Sequence, residues 1–295
     1  MGISRSSLRS EAVFLLQASR PGLWLTAIAF YMLPLGQRDV FHSGGFWLGA
    51  LYVSFPMGLL LYGWNDIVDY DADRLNPRKG TFLFGARGTR EQLRRLPLRI
   101  ALVQLPFVVA CSFLAGAKML LCFGGMVAAA ALYNWPRYGF KARPPLEILN
   151  QAGYLFVFLL SSWINDVPLL PWATMLFGAL FAMHSHVFGE VMDLEPDRTA
   201  GRRTTATVIG RVPAKLLMAV LMMLEAGLLT KFFRAKELVG FLLVSAAWFT
   251  LDATVIWRSR PYSNRAMRFF MLAWNAIALS SMPWMWSQAS MLRMK

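Results

Sequence analysis

Two runs of carboxylates are the residues best suited to chemistry in this chain. In NDIVDYDAD (65–73) Asp66, Asp69, Asp71 and Asp73 arrive directly after the apolar run FPMGLLLYGW. In GEVMDLEPD (189–197) Glu190, Asp193, Glu195 and Asp197 follow another apolar segment. Asp66, Asp69 and Asp73 stand at i, i+3 and i+7 and share one helix face, and Glu190, Asp193 and Asp197 repeat that spacing. Asp71 and Glu195 point elsewhere. Three stacked carboxylates repel one another, the helix dipole disfavours them at a C-terminal end, and a membrane makes each one costly. Such faces need compensation. With oxygen ligands only, and no His or Cys in either stretch, the expected partner is Mg²⁺, which also binds substrate phosphates.

The two stretches are copies of one pattern. At an offset of 124 residues Asp66, Asp69, Asp71 and Asp73 align with Glu190, Asp193, Glu195 and Asp197, and Arg74, Arg78 and Lys79 align with Arg198, Arg202 and Arg203. The repeat predicts an internal duplication whose two motifs emerge on one membrane face and converge on one cavity. Pro77 follows the first motif. Pro196, inside the second, is expected to loosen or end its helix.

Between the motifs lies LYNWPRYGFKARPPLE (132–147), with Tyr133, Arg137 and Lys141 at i, i+4 and i+8. They line up if the helix persists past Pro136 and lie on a loop if it breaks. Beside two acidic faces they read as a cationic clamp on a phosphorylated substrate. His184 and His186, at i and i+2, cannot both face one cavity.

The elements that must hold these groups are membrane helices. Of 295 residues 57% are apolar and 16% charged, too greasy for an ordinary soluble domain. Nine apolar runs near the roughly 18-residue spanning length centre on Ala29, Val53, Val109, Ala128, Val157, Leu180, Leu224, Val244 and Ala276. The net charge of +14 would suit nucleic acid in a soluble protein, but its placement points to topology instead. With the N-terminus cytoplasmic, only Arg38, Lys118, Lys231, Arg234, Lys236, Arg293 and Lys295 fall outside, the positive-inside pattern. The reading is an all-α integral membrane protein of a single domain. Two four-helix repeats (about 18–140 and 145–260) and a ninth helix (about 266–287) surround a central cavity, with no nucleic-acid partner. Cys111 and Cys122 read as small apolar residues.

These motifs resemble those of the UbiA superfamily of intramembrane prenyltransferases. NDIVDYDAD is similar to its NDxxDxxxD motif, DLEPD to its second DxxxD motif, YNWPRYGFKARPP to its Tyr-Pro-Arg-Lys loop, and DRTAGRRTTATVIG to the usual continuation. The resemblance runs from about residue 18 to 285. It implies that Asp66, Asp69, Asp73, Asp193 and Asp197, with Glu190, hold two Mg²⁺ that bridge the diphosphate of a prenyl donor. It also implies that Asn65, Lys141 and Arg137 bind that diphosphate, with Arg74 and Arg198 flanking, and that Tyr133, Arg137 and Lys141 serve catalysis. The resemblance further implies a lipophilic or aromatic acceptor. DRLNPRKG, with the basic GARGTR after it, and FKARPPLEILNQ resemble the lycopene elongase branch, against a quinone precursor as the alternative. A cation transporter and an inactive scaffold are the competing functions; transporter sites lie near the midplane, whereas these acids end their spans.

Overall fold

Helices carry almost the whole chain in the computed structural model, which describes residues 5–289 and 291–295. Among the described residues there is no β-strand, only an isolated bridge between Thr81 and Gly85. Six helices among the described residues are long and apolar enough to cross a membrane: Arg9–Leu35, Gly44–Val68, Arg90–Ala115, Trp172–Thr199, Arg211–Phe232 and Lys236–Ile256. The runs centred on Ala128, Val157 and Ala276 take other forms. Lys118–Asn134 is a shorter apolar helix. Residues 146–164 form a helical turn, a 3₁₀ stretch (Asn150–Leu155) and a helix, Phe156–Ile164. Asn264–Gln288 is long but carries Arg265, Arg268, Asn275 and Gln288.

The outward faces are those of a protein in lipid. On Arg90–Ala115 the residues Leu98, Leu102, Leu105, Val109 and Phe113 form an exposed stripe, and Phe113 is 89% exposed. A patch of this kind marks an interaction surface, and on a helix of this length the partner is hydrocarbon. Inside, lipid supplies no hydrophobic drive between helices, so small residues admit close packing. Gly125 and Gly178 lie against the rings of Phe156 and Phe158, and a Cβ at either position would overlap them. Cys111 and Cys122 are buried and free, as their setting suggested.

Three local features shape the end of the bundle that holds the acids. At Arg20 the chain turns into the left-handed region (φ 51°) before Pro21 opens the next helical turn. Gly58 sits beneath the Ser19 carbonyl, where any side chain would collide with backbone. The segment after the first motif folds back through the Thr81–Gly85 turn, and the Phe82 carbonyl accepts a hydrogen bond from Gly22 N–H (3.1 Å).

Candidate active site

The first acidic motif does not occupy one continuous helix. Trp64–Val68 ends at Asp69, whose backbone (φ −93°, ψ 7°) breaks the path before Tyr70–Leu75 begins. The i, i+7 pair nonetheless meets: Lys79 Nζ lies 2.7 Å from Asp66 Oδ1 and 2.7 Å from Asp73 Oδ2. Asp66 also takes Arg20 Nη2 at 3.3 Å. Asp69 turns to a different set. It accepts from Asn65 Nδ2 (3.0 Å) and Arg202 Nη1 (3.1 Å) and pairs with Lys141. Lys141 Nζ also donates to Asn65 Oδ1 (2.5 Å).

The second motif stays helical to Thr199, so the expected break at Pro196 does not occur. A proline this close to a helix end removes one backbone bond, and the helix closes a turn later at Ala200. Asp193 accepts from Asn76 Nδ2 (2.7 Å) and pairs with Arg78. The Arg202 guanidinium that grips Asp69 is 3.4 Å from Asp197, so acids from both motifs lie within reach of one side chain.

Charge is thus compensated differently from the sequence expectation. Among the described residues, no group of three or more His, Cys, Asp or Glu side chains stands ready to hold a metal ion. Lys79, Arg78, Arg202, Lys141, Asn65 and Asn76 occupy the carboxylates instead. The donor set still fits Mg²⁺. It is oxygen-rich, and Asp66 Oδ2 is buried with no hydrogen-bond partner; an uncompensated buried carboxylate oxygen costs free energy until a donor or cation meets it.

The electrostatics follow the pairing. Burial would raise the Asp69 carboxyl, but Lys141 and Arg202 override it and hold it below the usual range. Burial pushes Asp73 up to about 6, with Lys79 opposing and Asp66 and Asp69 adding to the rise. Burial also lowers Lys141, and Asp69 restores part of the loss.

Several expected residues lie elsewhere. Glu190 shares the face of Asp193 but is a turn deeper; its Oε2 accepts Ala206 N–H (2.9 Å), and its Oε1 lies 3.2 Å from His186 Nε2. Arg74 and Arg198 are exposed and touch none of the acids. Each follows a motif acid by one residue, about 100° around the helix, and Arg74 stacks on Tyr70 instead (5.7 Å). The helix before Pro136 ends at Asn134, so Tyr133, Arg137 and Lys141 do not form a stripe. The loop returns Lys141 to within 5.7 Å of the Tyr133 ring, while Arg137 is left exposed at the cavity rim. His184 faces Glu225 (2.6 Å), away from the cavity that His186 lines.

Arg20, Asn76, Arg78, Lys79 and Arg202 are the site residues that sequence reasoning left as topology charges or passed over. The matched positions of Arg78 and Arg202 in the repeat were the available signal.

Arg20, Asn76, Arg78, Lys79, Lys141 and Arg202 border one cavity of about 560 Å³, within the usual range for small-molecule sites, while Asp66 lies just behind its lining. Its acidic end holds Asp69, Asp73, Asp193 and Asp197. Deeper in, the wall is apolar and aromatic, with Phe30, Phe181, Trp274, Met57 and Met126. A charged mouth that closes onto an aromatic chamber suits an amphipathic substrate with an anionic head.

The helical architecture and the charged mouth of the cavity define a membrane-embedded enzyme. The model of the UbiA prenyltransferase family matches residues 22–276, and the chain belongs to that family. It is a prenyltransferase and an integral membrane protein. The chain is 30% identical over 268 residues to a lycopene elongase/hydratase of Corynebacterium glutamicum, covering 87% of this chain and 91% of that one. It is 31% identical over 204 residues to a lycopene elongase/hydratase of Haloarcula japonica, covering 67% of each. Among solved structures, a UbiA homologue from Archaeoglobus fulgidus bound to DMAPP and Mg²⁺ superposes with a TM-score of 0.69 at 18% identity, over 92% of this chain and 99% of that one. The same homologue has been solved with GPP and Mg²⁺ (TM-score 0.68).

Proposed function

We propose that this enzyme transfers a short prenyl group from its diphosphate to a carotenoid polyene of the lycopene type, with two Mg²⁺ at the acidic mouth. The observation that carries the reading is the convergence of both acidic motifs, each bound by cations, on the mouth of an apolar cavity. The carotenoid acceptor is supported by the names of the bacterial and archaeal relatives. The full topology in this reading is nine membrane spans in two four-helix repeats plus a ninth, with the mouth on the cytoplasmic side, where most basic residues fall.

Asp66, Asp69, Asp73, Asp193 and Asp197 would hold the metal, with Glu190 a turn deeper as a supporting carboxylate rather than a direct ligand. Bound Mg²⁺ supplies charge neutralisation for the departing diphosphate. The protein's own cations do the rest of that work. Arg78, Lys79, Lys141 and Arg202 sit on the carboxylates now and would exchange them for diphosphate oxygens when metal and donor arrive. Lys141 stays oriented by Asn65. Placed where negative charge grows as the allylic C–O bond breaks, these donors favour the transition state over the ground state. Arg137 at the rim would steer the anionic head inward, and the Tyr133 ring would back Lys141. The aromatic wall keeps water from the allylic cation and stabilises it through ring faces. The terminal double bond of the polyene then attacks the cation.

The test uses purified protein in lipid nanodiscs with dimethylallyl diphosphate, lycopene and Mg²⁺. The expected products are diphosphate and carotenoids heavier by one and two five-carbon units, and chelation with EDTA stops both. Diphosphate release with no prenylated lycopene would overturn the acceptor; no release at any Mg²⁺ concentration would overturn the ionisation mechanism.

A further inference from the structure

Alkylation of a polyene leaves a cation on the acceptor, and a proton must leave before the product is stable. At the acidic mouth Asp69, Asp73, Asp193 and Asp197 are each paired with a lysine or arginine. Deeper in the cavity stands a different polar pair. The hydroxyls of Tyr62 and Tyr154 are 2.5 Å apart, and both side chains line the cavity.

Two irregular stretches of helix bring them together. Tyr62 lies in a π-helical segment, Leu59–Gly63, inside Gly44–Val68. Tyr154 lies in the 3₁₀ stretch Asn150–Leu155. A π-bulge inside an α-helix is often a functional feature, and irregular backbone at membrane depth is tolerated where it lines a cavity. Here two such departures from regular helix serve one contact.

The contact leaves capacity unused. Each phenol has one hydrogen and two acceptor lone pairs. One hydroxyl donates to the other, which leaves the second hydrogen and further lone pairs. Among the described residues neither oxygen makes another protein hydrogen bond. Tyr62 precedes Asn65 by three residues, about 4.5 Å along a helix, so the pair stands between the diphosphate end and the apolar chamber. One face of Tyr62 is covered by the Arg20 guanidinium, 4.7 Å from the ring centre.

On the proposed prenyl transfer to a polyene, we infer that the Tyr62–Tyr154 hydroxyl pair is the catalytic proton acceptor that ends the reaction. The C–O bond of the donor breaks with its electron pair going to diphosphate. The acceptor's π electrons form the new C–C bond and leave a tertiary cation. A C–H bond beside that cation then breaks, its electrons close a new double bond, and the proton joins a phenol oxygen of the pair. Where water adds to the cation instead, the proton lost from that water takes the same path, and the product is a tertiary alcohol. A carbocation is acidic enough for a neutral phenol to serve as base. Arg20 beside Tyr62 prevents the charge from resting there, and the proton leaves on the diphosphate.

Without an acceptor for the proton, alkylation reverses, and the allylic cation is captured by water. The experiment compares the parent protein with Tyr62→Phe, Tyr154→Phe and the double variant, in nanodiscs with dimethylallyl diphosphate, lycopene and Mg²⁺. Diphosphate release and prenylated carotenoid are both quantified. The expected result is diphosphate release within about threefold of the parent in the single variants. The ratio of carotenoid product to diphosphate should fall at least tenfold in the double variant, with dimethylallyl alcohol making up the difference. An unchanged ratio in the double variant overturns the assignment. So does loss of diphosphate release in both single variants, which would move the pair to the ionisation step. If the double variant alone fails to fold, the single variants decide by the same ratio. A parent protein that releases diphosphate but prenylates no lycopene overturns the acceptor reading and this assignment with it.

Discussion

Arg78 pairs with Asp193, and Arg202, its counterpart 124 residues later, pairs with Asp69. Each of these arginines thus pairs with an acid of the other motif, and Arg202 also lies 3.4 Å from Asp197 of its own. The exchange ties the two halves together at the mouth of the cavity and leaves both guanidiniums poised over the place where a diphosphate would lie. Replacing either with Met keeps a flexible apolar stem and removes the charge. Loss of one charge-assisted contact of about 1.5–3 kcal/mol corresponds to a fall of roughly ten- to hundredfold in kcat/KM. Steady-state kinetics on Arg78→Met and Arg202→Met check it, and equal losses in the two are expected from their reciprocal placement. A wild-type value in either would reduce that arginine to a structural tie.

Asp69 and Asp193 are the central acids of their motifs, and Asp71 is exposed to solvent. Asp69→Ala or Asp193→Ala should lower turnover by about 100- to 1000-fold, the scale of removing one preorganised electrostatic group. Asp71→Asn should leave it within about threefold, because surface changes away from such features cost little. Turnover with saturating Mg²⁺ separates the two cases; similar losses in all three would mean that net acidity, and not the shared face, matters.

The spacing of the acids and the matched charges of the two motifs were legible because i, i+3, i+7 periodicity and a fixed offset of 124 residues survive in the letters. The cations were not. In a positive-inside loop an arginine that pairs with a distant acid looks the same as one that meets a lipid headgroup, so Arg20 and Arg202 carried no local sign of their partners. Arg74 and Arg198 stand apart from the acids for a geometric reason: adjacency in sequence puts a residue on a different helix face. Glu190 shares the expected face but sits a turn deeper, where the Ala206 amide, sixteen residues on in the chain, donates to it. The kink at Asp69 and the π and 3₁₀ segments left no periodicity to read.

Lys79 bridges Asp66 and Asp73 at 2.7 Å each, the two carboxylates proposed above to help hold Mg²⁺. In that reading the ammonium and Mg²⁺ would compete for the same oxygens. Lys79→Met should lower the Mg²⁺ concentration needed for half-maximal metal binding by about tenfold in the absence of donor, equivalent to about 1.4 kcal/mol. It should also lower kcat, since the same charge helps neutralise the leaving diphosphate. Calorimetric Mg²⁺ titration of the donor-free protein reads the first effect. Weaker binding in the variant would mean that Lys79 organises the acids and does not occupy their place.

Gly58 tests how the first helix holds Arg20 in position. A Cβ there would strike the Ser19 carbonyl, which is backbone and cannot rotate away. Gly58→Ala should push residues 19–21 outward and cost about 1–3 kcal/mol, the usual penalty for overpacking. Arg20 holds Asp66 at 3.3 Å and covers Tyr62, so the same displacement should loosen both contacts. Thermal unfolding in detergent reads the stability change, and kcat reads the displacement of Arg20. Arg20→Met is the companion variant, because it removes the guanidinium and leaves the packing at Gly58 alone. A fall in kcat in both variants, with a fall in unfolding temperature only in Gly58→Ala, is the expected pattern. A Gly58→Ala protein with parental unfolding temperature and parental kcat would show that the helix has room to move and that Arg20 is not held by this contact.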